Sequence, residues 1–210
     1  MTMRQMLLGL AQAPPPSFEN FVAGRNQAAL AALRTLGTAT ASDRCIYLWG
    51  ERGSGRSHLL GAWQASRGGC ADSHAVDDVQ TLDEAAQIAL FNLYNRARAG
   101  EAWLLVAGNQ PPAQLALRDD LRSRLAWGLG FEILPLTDDE KRAALARHAQ
   151  QLGMGMSPEI LDYLLTRARR DMPSLIATVE ALDRYSLETK RAITTPLVRE
   201  LLNQNHSLPL

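Results

Sequence analysis

Apolar positions along this chain of 210 residues follow two rhythms. The first is the short unbroken run. "RCIYLWG" (44–50) and "AWLLVAGN" (102–109) are apolar, partly β-branched or aromatic, and bounded by polar or glycine residues, a pattern that predicts strands buried on both faces. "FEILPL" (131–136) predicts another short strand, and "SHAVDDV" (73–79) one that ends in two carboxylates. The second rhythm is spacing by three and four. It predicts helices over 26–36, with Gly37 as a stop, over 57–66, and over 81–100, where Gly100 closes the pattern. "LRSRLAWG" (121–128) reads as a short helix or turn.

From Thr137 onward the runs disappear and helix signatures follow one another. Thr137 with Glu140 three residues on is a capping-box pattern. Ser157 precedes Pro158 as a cap before a proline at the first helical position, and "MPSLIATVEALDRYSLETK" and "TTPLVRELLN" also place proline just inside a helix. Strands alternating with helices, then four helices in a row, predict a parallel α/β layer followed by a small helical lid.

The front of the chain fits neither rhythm. "RQMLLGL" (4–10) is followed almost at once by "APPP". Consecutive prolines lack amide donors and favour an extended spacer, so residues 1–17 read as a tail held away from the body. "MLLGL" is shorter than the roughly 7–15 apolar residues of a secretory signal. No apolar run approaches the roughly 20 residues that a bilayer requires.

Composition narrows the partners. Lys and Arg number 22, Asp and Glu 22, so the net charge is zero and no basic excess points to a nucleic-acid surface. Cys45 and Cys70 form no framework, which favours a reducing compartment, and the 4 histidines lie far apart, without the spacing of a metal site.

The strongest chemical signal is "GERGSGRS" (50–57), which fits G-x-x-x-x-G-K-[ST] except that Arg56 stands where Lys is expected. A strand precedes it and a helix follows. Gly50, Gly53 and Gly55 let the backbone curl so that amides point at phosphate oxygens, and the helix adds its N-terminal partial charge. Ser57 offers a hydroxyl to Mg²⁺. Arg56 keeps a positive charge beside the terminal phosphates, but as a planar fork, so binding is expected to survive and hydrolysis to be slow. Asp77 would hold Mg²⁺ through water, Asp78 would polarise an attacking water, and Asn109 would orient it.

Together, "GERGSGRSHLL", "VDDV", "LLVAGNQPP", "LRSRLAWG" and the closing helices resemble the AAA+ module of the bacterial initiator DnaA, and within that family the Hda-like regulators that inactivate DnaA. The resemblance covers nearly the whole chain, apart from the family's C-terminal DNA-binding domain. It implies a P-loop AAA+ parallel sheet flanked by helices, with an edge strand lost, and a C-terminal helical lid. It divides the chain into a tail (1–17), a nucleotide-binding α/β domain (18–136) and a lid (137–210). It adds Ser54 and His58 to the nucleotide-binding set, with ADP or ATP as the ligand. It implies that Gln5, Leu7, Leu8 and Leu10 bind the sliding clamp of DNA polymerase III, with Gly9 standing where proline is more usual. Arg124 would be an arginine finger supplied in trans to DnaA-bound ATP, while Arg118 and Arg122 would be surface or phosphate-steering residues.

The implied function is negative regulation of replication initiation in the bacterial cytoplasm, with DNA met indirectly through the clamp, no membrane, and self-association that hides Arg124 as a further state. At most a weak ATPase is expected. The alternative is a DnaA-like helper ATPase that recruits DnaA or remodels DNA at origins. Two features depart from the family. Only "RGGCAD" (67–72) separates the phosphate-loop helix from the Asp-Asp strand, which would leave that strand at the sheet edge. Pro173 also stands where a γ-phosphate-sensing lid arginine is expected, with Arg169 and Arg170 one turn earlier.

Overall fold

The computed structural model describes residues 14–38, 41, 43–169 and 171–206. They form two compact units, Pro15–Pro135 and the residues from Leu136 onward. In chain order the first unit holds α1 (Gln27–Thr35), β1 (Cys45–Trp49), α2 (Arg56–Ser66), β2 (Ser73–Val76), a 3-10 turn (Val79–Thr81), α3 (Glu84–Arg98), β3 (Trp103–Gly108), a second 3-10 turn (Pro112–Gln114), α4 (Asp119–Leu125) and β4 (Leu129–Glu132).

The four strands are parallel in the order β2-β3-β1-β4. Their side chains alternate between two apolar layers, which is why the central strands read as unbroken runs. Ile46, Leu48, Leu105 and Ala107 face α1 and α2, packing with Leu30, Leu33, Leu59 and Trp63. Tyr47, Leu104 and Val106 face the other way, toward Leu90, Tyr94 and Leu121. Cys45 lies in this second layer, where burial, reinforced by the charge of Asp43, pushes its thiol up to about 12. The Asp-Asp strand does lie at an edge, with β3 as its neighbour in the sheet.

Several boundaries differ from the pattern-based ones for local reasons. The third long helix begins at Glu84 rather than at Thr81. Asp83 accepts a 2.8 Å bond from Ala86 N and so fixes the start, leaving 79–81 as a 3-10 turn. The predicted strand over 131–136 runs instead over Leu129–Glu132. Beyond it Ile133 N still donates to Trp49 O (2.6 Å), but both backbone groups of Leu134 are taken by Asn26, and Pro135 has no amide.

Asn26 is 4% exposed, and its side chain imitates a strand: Nδ2 donates to Leu134 O and Oδ1 accepts from Leu134 N, both at 2.9 Å. Asn26→Leu is expected to destabilise this unit by about 2–4 kcal/mol, because it leaves a shielded amide and carbonyl unpaired. Urea unfolding checks it; a midpoint unchanged by the substitution would show that water replaces both bonds.

The second unit packs α5 (Asp138–Gln151), α6 (Pro158–Arg167), α7 (Met172–Thr189) and α8 (Thr195–His206) around Leu145, Leu161, Leu164, Leu175, Val179, Leu182 and Val198. The capping box at Thr137 and Glu140 is formed in both directions. Ser157 makes no side-chain cap bond, so α6 opens on its proline alone. At α7 the cap is Asp171, which accepts from Ser174 N at 2.9 Å.

Candidate functional site

The loop after β1 is shaped by its glycines. At Gly50 a Cβ would run into the carbonyl oxygen of Ile133, so the chain can pass only without a side chain. Gly55 caps α2 in the left-handed region (φ 104), and a Cβ there would come within 2.9 Å of the Phe21 ring. No side chain caps α2, so its first amides stay available to an anion. Ser54 is 6% exposed and its Oγ has no partner. Ser57 is exposed on the first turn of α2.

Arg56 is buried and donates from Nη1 to Gly108 O at the end of β3. Sequence reasoning placed its charge beside the terminal phosphates; here the fork lies against the sheet. Tyr47 sits in the same region and donates its hydroxyl to Gln110 O at 2.6 Å. Burial holds that hydroxyl protonated well above the ordinary phenol range, against an opposing pull from the Arg56 charge.

Asp77 and Asp78 follow the end of β2, the first half-buried and the second exposed. Asp78 adopts φ 47, and its amide donates to Asp77 Oδ1 at 2.8 Å. Asp tolerates this left-handed conformation through such local bonds. Gln80 then bridges the two sides: its Nε2 donates to Asp78 Oδ1 (2.9 Å) and its Oε1 accepts from Asn109 N (3.1 Å). Asn109 is the chain neighbour of Gly108, whose carbonyl holds Arg56, so Arg56, Asn109 and Asp78 belong to one bonded group. Gln80 was not legible as part of it, because nothing in the sequence marks a lone Gln after two acids. His58 faces elsewhere: its Nε2 lies 3.0 Å from Ser17 O and its ring 5.6 Å from that of Phe21.

A nucleotide's phosphates fit this loop on three counts: the uncapped helix start, the orphaned Ser54 hydroxyl, and the cradle that glycine alone can line. The described residues include no group of three His, Cys, Asp or Glu that could hold a metal. Mg²⁺ at Ser57 and Asp77 would therefore draw its remaining ligands from water and phosphate.

A second group lies on α4. Arg118 forms a two-bond pair with Asp120 (2.9 and 3.2 Å), and Arg122 pairs with Asp119 at 2.6 Å. Arg124 pairs with no acid among the described residues. Its guanidinium carbon lies 5.4 Å from the Phe91 ring centroid and 5.1 Å from that of Trp127, and Nη1 is shielded from water with no hydrogen-bond partner.

Residues 138–202 match the family model of the Hda lid domain. Domain III of the Thermotoga maritima replication initiation protein DnaA superposes with a TM-score of 0.65 at 19% identity, covering 91% of this chain and 98% of that one. The chain thus has the fold of DnaA domain III, and its residues 138–202 belong to the Hda lid family. The replication initiator DnaA bound to AMPPCP and single-stranded DNA is also similar, with a TM-score of 0.65 at 22% identity over 83% of this chain and 67% of that one. The Thermotoga maritima RuvB Holliday junction branch migration motor shares the fold at 17% identity and a TM-score of 0.61, over 90% of this chain and 72% of that one.

Within the Hda-type lid Pro173 occupies the first turn of α7. Arg169, the nearby cation of the lid, lies 3.6 Å from Asp171 and is largely exposed. Arg170, and the residues expected to bind the clamp, Gln5, Leu7, Leu8 and Leu10, lie outside the described residues. No helix among the described residues is long and apolar enough to cross a membrane.

Proposed function

We propose that this protein restrains replication initiation by acting on DnaA. Its N-terminal tail (1–17) docks on the sliding clamp through Gln5, Leu7, Leu8 and Leu10. Its AAA+ domain (18–136), carried with the lid (137–210), then presents Arg124 to ATP held by DnaA. The guanidinium stabilises charge that develops on the transferred phosphoryl group, and DnaA passes to its ADP form. The observation that carries this reading is the state of Arg124. Among the described residues it has no acid to neutralise it, whereas Arg118, at the N-cap of α4, and Arg122, on the helix, are both paired.

The chain's own phosphate loop serves as a binding site for ADP or ATP. When bound, the nucleotide and its Mg²⁺ would bring phosphate charge against the α2 amides, with Ser54, Ser57 and Asp77 as the polar groups nearest in role. Arg56, bonded to Gly108 O, keeps positive charge next to the loop, and His58, turned to Ser17 O, holds the 17–21 segment against α2. Asp78 and Asn109, tied through Gln80, hold the position of an attacking water, but turnover in cis is slow. The protein works in the cytoplasm and meets DNA through the clamp.

The test is hydrolysis by ATP-loaded DnaA on clamp-loaded DNA, with and without the full chain. Acceleration is expected, and it should vanish with Gln5→Ala and Leu8→Ala together. In a pull-down on purified clamp that double variant should bind about 30-fold more weakly, the scale of a lost anchor. Hydrolysis that the intact chain leaves unchanged would overturn the proposal.

A further inference from the structure

Among the described residues the guanidinium of Arg124 meets two ring faces and no acid. Phe91, on α3, is half-buried and fixed by its helix. Trp127, two residues past α4, is 65% exposed. A tryptophan that exposed gains little from burial, and a cavity of about 320 Å³, lined in part by Tyr94, Arg98 and Trp127, opens beside it. The indole meets two cations: the guanidinium carbons of Arg98 and Arg124 lie 5.2 and 5.1 Å from its ring centroid. The two cations repel each other, and the negative face of the indole offsets that repulsion.

We infer that Trp127 is the positioning residue for Arg124, presenting its guanidinium in an orientation that suits a phosphoryl oxygen of a neighbouring molecule. This deepens the arginine-finger reading and rests on it. A carboxylate would align the fork equally well, but it would occupy the donors and cancel the charge. A ring face aligns the plane of the group and leaves its N–H edge available, since the attraction runs through the π face. Nη1 is shielded from water and unbonded, so no acid consumes it, and the half-buried side chain must shift on the ring faces for that donor to meet a phosphoryl oxygen. The sequence shows no sign of this role, since Trp127 reads there as one more apolar residue of "RLAWG".

The experiment follows hydrolysis by ATP-loaded DnaA on clamp-loaded DNA against the concentration of the full chain. It yields a maximal rate and a half-saturating concentration. Trp127→Leu keeps apolar bulk without a ring face and should lower the maximal rate about threefold to tenfold, with half-saturation within about twofold of the unaltered chain. Trp127→Phe restores a ring face and should recover the rate to within about twofold. Both substitutions fall at an exposed position, and circular dichroism confirms folding. A maximal rate unchanged by Trp127→Leu overturns the inference. Equal impairment by Leu and Phe also overturns it, by pointing to shape, and so does a change confined to half-saturation, by pointing to a docking contact. The Arg124→Ala chain, assayed alongside, reports on the finger itself: if that variant stimulates normally, the finger reading fails and the positioning role fails with it.

Discussion

Arg124→Ala is expected to lower the stimulated rate of ATP hydrolysis by DnaA by about 10³-fold or more, the scale of arginine fingers supplied in trans. The size of the effect follows from what is removed. The proposed role rests on a full positive charge with several donors; the substitution leaves a methyl group, and neither neighbouring arginine is free to substitute. Arg118 is paired to Asp120 and Arg122 to Asp119. Arg124→Lys should recover only a minor fraction of the rate: a lysine keeps the charge but loses the planar fork and stacks less well between Phe91 and Trp127. Single-turnover hydrolysis on clamp-loaded DNA measures both variants. Clamp binding should be unaltered, because the proposed clamp motif lies at the other end of the domain's sequence. Stimulation by Arg124→Ala within about threefold of the unaltered chain would contradict the expected size of the effect.

The second large effect concerns stability. Trp63 on α2 is fully buried between α1 and the sheet, and its indole Nε1 donates to Leu36 O at 3.0 Å. Leu36 is the C-cap of α1, so this carbonyl is one that the helix itself leaves without a partner. Trp63→Ala removes the largest fully buried side chain of that layer and orphans the carbonyl. The expected cost is about 4–6 kcal/mol, which approaches the whole net stability of a typical domain. Trp63→Phe keeps most of the packing and loses the bond, at a cost of about 1–3 kcal/mol. Urea unfolding followed by circular dichroism separates the two. Equal losses for Ala and Phe would mean that the hydrogen bond dominates; a shift under about 0.5 kcal/mol for Ala would mean that the layer collapses to fill the space.

What could be read in advance was local. The runs around Ile46 and Leu105 predicted two buried strands because parallel strands covered on both faces have no polar side. The glycines of the phosphate loop were legible because backbone conformations hostile to a Cβ leave few other choices. Thr137 with Glu140 announced a capping box that the structure forms in full. The edge position of the Asp-Asp strand came from the resemblance instead, since the 67–72 connection has no room for the further strand and helix that the family carries there. The same kind of local reading failed at Ser157, where a good cap residue makes no cap bond. It failed again at the strand after Gly128, whose end is set by Asn26, 108 positions away from Leu134.

The sequence by itself determined the two central strand runs, the capping box at Thr137, the glycine loop and the residue types available at 56, 77, 78 and 109, because each depends on a residue and its near neighbours. Tertiary structure alone decided where that chemistry points. Arg56 turns to Gly108, Gln80 joins Asp78 to Asn109, and Arg124 meets Phe91 and Trp127 rather than an acid. Those partners come from separate elements, and packing, not spacing along the chain, brings their side chains within reach.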